Sequence, residues 1–287
     1  MSTTNSLPFT LGLYEKSMPD TITLTQKLIK AKKTGYDFLE MSIDETDARL
    51  NRLNLSIQKR ETLRKEIEDT DFPIGSICLS GHRKYPLGSM DEKIRERSLD
   101  IMKKAIDLAQ FLGIPIIQLA GYDVYYEESS DATRDLFIKN LAVSTQMAAR
   151  SGILLGFETM ETPFMNSVTK AMNYVSIINS PYLNVYPDLG NIVNAYSGDN
   201  HRAKEDLING KGHLIATHIK ESVIGKYREI PYGNGHVDFP LLLETCWSLG
   251  VRRFVTEFWH NSSTDWQKQL IDSYDYVQKV FFEGKKD

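Results

Sequence analysis

The chain has 287 residues, 41% of them hydrophobic and 25% charged, with a net charge of −4. That composition excludes a disordered chain, and the acidic balance excludes any global attraction to nucleic acid or to an anionic membrane. No apolar run approaches the ~20 residues that span a bilayer, the opening MSTTNSLPF has no export-signal pattern, and Cys78 and Cys246 sit in no metal spacing. The expectation is a cytoplasmic protein with two free thiols and with neither nucleic-acid nor membrane partners.

In chain order, LGLYE (11–15) reads as a first strand and 24–34 as a helix. KAKKTGYDFLE (30–40) then shows helix, glycine, short apolar strand and polar residue in succession. The same order recurs in LAQFLGIPIIQ (108–118), MAARSGILLGFE (147–158) and WSLGVRRFVTE (247–257). Glycine after a helix fits a left-handed C-terminal cap, and a short apolar run after it fits a buried parallel strand. PIGSICLSGH (73–82), LNVYPDLGN (183–191) and LIATHIKE (214–221) complete eight strands. Helical patterns fill 57–69, 91–112, 131–150, 167–179, 240–249 and 265–283, with a weaker one over 194–210. No phosphate-binding glycine fingerprint follows a strand, so a doubly wound sheet is disfavoured. The pattern predicts an α/β fold, a single (β/α)8 TIM barrel over 1–287, with its site at the C-terminal strand ends.

Those ends carry Glu40, His82, Gln118, Glu158, Asp188, His218 and Glu257. Taken singly, a polar residue there usually caps a loop; Asp188 before LGN fits an Asx-turn and His218 a satisfied core histidine. The last four, however, close four successive strands about one barrel unit apart, so their side chains should meet at one mouth. Three carboxylates in one concave space repel unless a cation joins them. Two Glu, one Asp and one His suit one divalent ion: Mn²⁺, Zn²⁺, Co²⁺ or Mg²⁺.

The GFE, YPDLGN, THIKE and TEFW motifs resemble the xylose-isomerase-like barrels. LGLYEK, FLEMSIDETDARLNRL, CLSGHRKYPLGS, IQLAGYDVYY and PYGNGHVDF resemble, more narrowly, the L-ribulose-5-phosphate 3-epimerases, also called L-xylulose-5-phosphate 3-epimerases. The resemblance covers nearly the whole chain. It implies a ketopentose 5-phosphate inverted at C3, in L-ascorbate or related pentose catabolism, and a homodimer is expected.

Inverting C3 removes a proton α to a carbonyl from one face and returns one to the other, which two carboxylates with a Lewis acid can do. Glu158 and Glu257 are the candidates, as the resemblance also implies, with Asp188 and His218 holding the ion. Trp259 is placed to stack on substrate carbons. Glu40, His82 and Gln118 are candidates for sugar hydroxyls or for groups behind the ligands. After strand seven, Lys220, Lys226 and Arg228 with Gly233 and Gly235 form the first phosphate candidate; Arg83 and Lys84 form the second. Free-sugar 3-epimerases typically have His three residues after the Asp, where this chain has Asn191, which favours the phosphate branch. A zinc endonuclease needs more histidines and a basic groove, and a hydride-shift isomerase needs acids for a second metal. A non-catalytic sugar-binding barrel has no use for the Glu158/Glu257 pair.

Overall fold

The computed structural model describes residues 9–283, so nearly all of the MSTTNSLPF segment lies outside the described residues. Eight parallel strands follow one another: β1 Thr10–Tyr14, β2 Phe38–Ser42, β3 Ile74–Leu79, β4 Ile116–Ala120, β5 Leu154–Glu158, β6 Leu183–Tyr186, β7 Thr217–Ile219 and β8 Arg253–Thr256. Between and after them run α1 Leu24–Thr34, α2 Asp47–Leu50, α3 Ile57–Thr70, α4 Glu92–Leu112, α5 Asp131–Arg150, α6 Val168–Ile178, α7 Leu189–Ala195, α8 Asn200–Asn209, α9 Phe239–Ser248 and α10 Trp266–Glu283. Every expected strand is present, and the glycines read as helix stops at 35, 113, 152 and 250 all have positive φ.

The sheet order is β6-β5-β4-β3-β2-β1-β8-β7. Its two ends meet through isolated bridges, Val185 with Leu214 and Asp188 with His218, rather than through a ladder. That seam closes the barrel. Side chains alternate across each strand. The large apolar core, including Leu39, Leu155 and Phe254, packs the strands against the helices. A smaller cluster of Tyr14, Phe38, Cys78, Ile116, Tyr186, Ala216 and Val255 fills the barrel interior.

The β2–β3 register skips at one point: Leu39 pairs with Ile74, but Glu40 pairs with Ser76. Gly75 is the extra residue of this bulge. A Cβ there would meet the Phe38 ring at 2.3 Å, so only glycine lets Phe38 plug the barrel floor.

Three readings need correction. The single helix over 194–210 is two, α7 and α8, separated at Ser197 and Gly198, whose φ angles of 55° and 88° cannot continue a helix. Residues 189–191 open α7 rather than extend β6, because Asp188 caps that helix through Asn191 N. Glu40 lies inside β2 rather than at its end, as Gln118 does in β4 and His218 in β7.

Candidate active site and metal centre

Glu158 ends β5, and Asp188, which caps α7, follows β6. His218 is the central residue of β7, and Glu257 follows β8 directly. The four are buried, and one ligand atom from each lies within 4.8 Å of all the others. His218 Nδ1 is 3.1 Å from Glu257 Oε2, 3.2 Å from Glu158 Oε1 and 3.9 Å from Asp188 Oδ2.

The donor set fits a divalent ion. Asp188 Oδ2 and Glu257 Oε2 are buried without an aligned hydrogen-bond donor among the described residues. Lys220 Nζ nevertheless approaches Asp188 Oδ2 to 2.6 Å as an ion pair. Burial and the Glu257 charge raise the Glu158 carboxyl. Asp188 is raised well above its ordinary value by burial, against the pull of Lys220. Glu257 goes the other way: burial opposes its charge, but Lys220 and His218 draw it below the usual carboxylate range. With Glu257 ionised, its charge and burial thus favour protons on Glu158 and Asp188 unless a cation takes their place. Asp188 Oδ1 accepts from Asn191 N at 2.8 Å, so the Asx reading holds, and it leaves Oδ2 directed toward the other three candidate ligands.

Above the four lies a cavity of about 410 Å³ lined by Glu158, Glu257, Asn191, Lys220, Trp259 and Cys78, with Tyr14, Lys16, Arg83, Lys226 and Arg228 among the other walls. Glu158 and Glu257 are each 5% exposed, whereas Asp188 and His218 are 0% exposed. The two glutamates reach the cavity; the other two lie beneath. Trp259 packs edge-on against Tyr14 at 5.9 Å, and the Arg228 guanidinium sits 4.6 Å from its ring centre. Across the cavity, Arg83 lies 4.9 Å from the Tyr125 ring centre. Lys84 is not among the lining residues.

Other expected contacts fall elsewhere. His82 turns toward α4, its Nε2 3.2 Å from Ser98 O, and burial lowers its pKa to about 4. Gln118 lies behind Glu158, to whose Oε2 its Nε2 donates. Glu40 is 0% exposed beneath His218. The glycines of the strand-seven loop serve Glu221, whose carboxylate accepts from Ser222 N, Gly233 N and Val237 N. A Cβ at Gly235 would lie 2.2 Å from Glu221 Oε1, so this tight wrapping surrounds an internal acid. Tyr14, Lys16, Cys78 and Tyr125 were not singled out from sequence. Tyr14 and Cys78 carried a signal, since both share the inward alternation of their strands.

Among known proteins, the model of the xylose isomerase-like TIM barrel family matches residues 28–279. The chain belongs to that family. It is 41% identical over 269 residues, 93% of each chain, to L-ribulose-5-phosphate 3-epimerase UlaE of Escherichia coli strain SMS-3-5. A solved D-allulose 3-epimerase from Methylomonas sp., in complex with D-allulose, aligns with a TM-score of 0.77 at 16% identity, covering 95% of this chain and 97% of that one. A xylose isomerase-like barrel from Mycobacterium smegmatis, in complex with magnesium, aligns at 0.71 with 18% identity and 99% of both chains covered. The two structures share the fold with this family member. Among the described residues no helix is long and apolar enough to cross a membrane.

Proposed function

We propose that this family member is a carbohydrate-phosphate 3-epimerase, an isomerase that interconverts L-xylulose 5-phosphate and L-ribulose 5-phosphate. The observation that carries the mechanism is the division of the ligand set: only Glu158 and Glu257 also line the cavity. A divalent ion held by Glu158, Asp188, His218 and Glu257 would polarise the ketose carbonyl and so acidify the C3 proton. Mn²⁺, Zn²⁺, Co²⁺ and Mg²⁺ all suit these donors. One glutamate removes that proton from one face of the sugar, and the other delivers a proton to the opposite face of the enediolate. Lys220, whose ammonium lies 3.6 Å from Glu257 Oε2, keeps positive charge beside the developing oxyanion. Trp259 supplies an apolar wall for the sugar carbons.

The substrate's phosphate is assigned to the rim formed by Lys226 and Arg228. Arg83 on the facing wall is the alternative anchor. These lining cations favour a phosphorylated substrate over a free sugar. Asn191, with Nδ2 donating to Thr159 O at 2.7 Å and Oδ1 unpaired among the described residues, is assigned to a sugar hydroxyl. One barrel domain over 1–287, a cytoplasmic homodimer and a place in L-ascorbate degradation complete the reading. Sedimentation of the purified chain tests the dimer.

The decisive experiment is incubation with L-xylulose 5-phosphate in D₂O with added Mn²⁺, following C3 by proton NMR after the ion is removed. Deuterium at C3 together with the second epimer supports the reading. A C3 that keeps its proton throughout overturns it.

A further inference from the structure

Glu40 gives no face to the cavity, yet it is a fully buried acid in the barrel interior. Its oxygens are occupied from three other strands. Oε2 accepts from Ser76 Oγ at 2.7 Å and from Tyr186 OH at 2.9 Å. Oε1 lies 2.6 Å from His218 Nε2. The other ring nitrogen, Nδ1, faces the three carboxylates of the proposed metal centre. The ring itself is held edge-on by Tyr186, with centroids 4.8 Å apart.

We infer that Glu40 is a positioning residue: it fixes His218 in the tautomer with hydrogen on Nε2, so that the Nδ1 lone pair points at the cation. This inference rests on the metal centre of the proposed function. A neutral imidazole carries one hydrogen, and the partner of one nitrogen decides which nitrogen is left to ligate. A carboxylate behind a ligating histidine sets its orientation and basicity, and its loss typically weakens metal binding 10–100-fold. The bulge at Gly75 supports the assignment. It brings Ser76 opposite Glu40, and the Ser76 hydroxyl occupies the oxygen that does not face His218. With Ser76 and Tyr186 both donating to Oε2, Oε1 is left to the imidazole.

Glu40→Gln tests the idea while keeping side-chain size. An amide can accept from Nε2–H or donate to bare Nε2, so it serves either tautomer and releases the lock. Zn²⁺ affinity of the chelator-stripped protein, measured by calorimetry, should fall 10–100-fold. The zinc required for half-maximal epimerisation should rise in step. In ¹⁵N-histidine NMR of the zinc-loaded wild-type chain, His218 should show hydrogen on Nε2 and the metal on Nδ1. That spectrum decides the matter even if the variant fails to fold. Metal on Nε2, or unchanged zinc affinity in a folded Glu40→Gln, overturns the role of Glu40. Wild-type protein that binds no divalent ion overturns the metal centre itself, a separate outcome.

Discussion

Lys220→Met removes the ammonium that pairs with the buried acids Asp188 and Glu257. Lys220 Nζ stands 2.6 Å from Asp188 Oδ2 and 3.6 Å from Glu257 Oε2. Burial works against its charge, yet Asp188, Glu257 and Glu158 hold its pKa above the ordinary lysine value. Unit charges 4 Å apart attract by about 4 kcal/mol at an effective dielectric of 20. Breaking a buried pair by removing one partner costs about 3–5 kcal/mol. Methionine fills similar space, so the metal-free variant should lose about that much stability in urea unfolding. The same deletion removes a repulsion felt by the cation, so metal affinity should rise at least ~10-fold. Loaded variant and loaded wild type should then unfold closer together than the stripped proteins do. The pH dependence has a definite sign. The Asp188 carboxyl is raised in the folded chain, so its contribution is present below its unfolded value and is lost as pH rises through the folded one. Without Lys220 it rises further, so the stability gap between the stripped proteins should widen as pH rises through the folded Asp188 value. Equal urea midpoints for the two stripped proteins would refute the charge balance described here.

Glu158→Gln and Glu257→Gln should each lower epimerisation by at least ~10² when metal-loaded; full activity in either variant removes that residue from proton transfer. One variant is expected still to exchange C3 deuterium of a single epimer, as NMR would detect. Glu15, which Arg52, Lys27 and Arg49 hold down to about 2 against the opposing effect of burial, contributes stability that is present above its ordinary carboxylate value and lost as pH falls through about 2. Glu15→Gln should therefore flatten the acid limb of the stability profile, and by taking the carboxylate from Arg52 and leaving Lys27 and Arg49 to share Asp20 it should cost at least ~3 kcal/mol at neutral pH. Arg228→Ala should raise KM for the phosphorylated ketose at least ~10-fold with little change for the free sugar. A larger effect from Arg83→Ala would move the phosphate to the facing wall.

The strands were legible because each after β1 is a short apolar run preceded by a helix, often with a glycine stop between, and the convergence of Glu158, Asp188, His218 and Glu257 followed from their regular spacing alone. Depth along a strand was not legible. Two-residue alternation marks which side faces inward but not how far from the mouth a residue sits, so for Glu40 and Gln118 sequence left open a sugar contact or a place behind the candidate ligands, and the structure places them behind His218 and Glu158. His82 was misplaced for a related reason: it follows β3 in a tight turn that swings its ring toward Ser98 on α4. The glycines of PYGNGHVDF do mark close backbone approach, but the anion they approach is Glu221 of the chain itself. Sequence cannot distinguish an internal carboxylate from an external phosphate as the group such a loop encloses.

The seam between β6 and β7 has a bearing on the life of the molecule outside catalysis. Seven of the eight strand junctions are ladders, and the eighth is stitched where Asp188 meets His218. Two of the four proposed ligands thus face each other across the joint that, among the described strands, is held by isolated bridges and a few backbone hydrogen bonds, and an ion between them would act as a rivet through the hoop. Starved of metal, the chain would rely at that joint on its bridges and backbone hydrogen bonds alone, and limited proteolysis of stripped against loaded protein would read the difference. Metal supply would then govern how long each copy of the protein survives, as well as how fast it turns over.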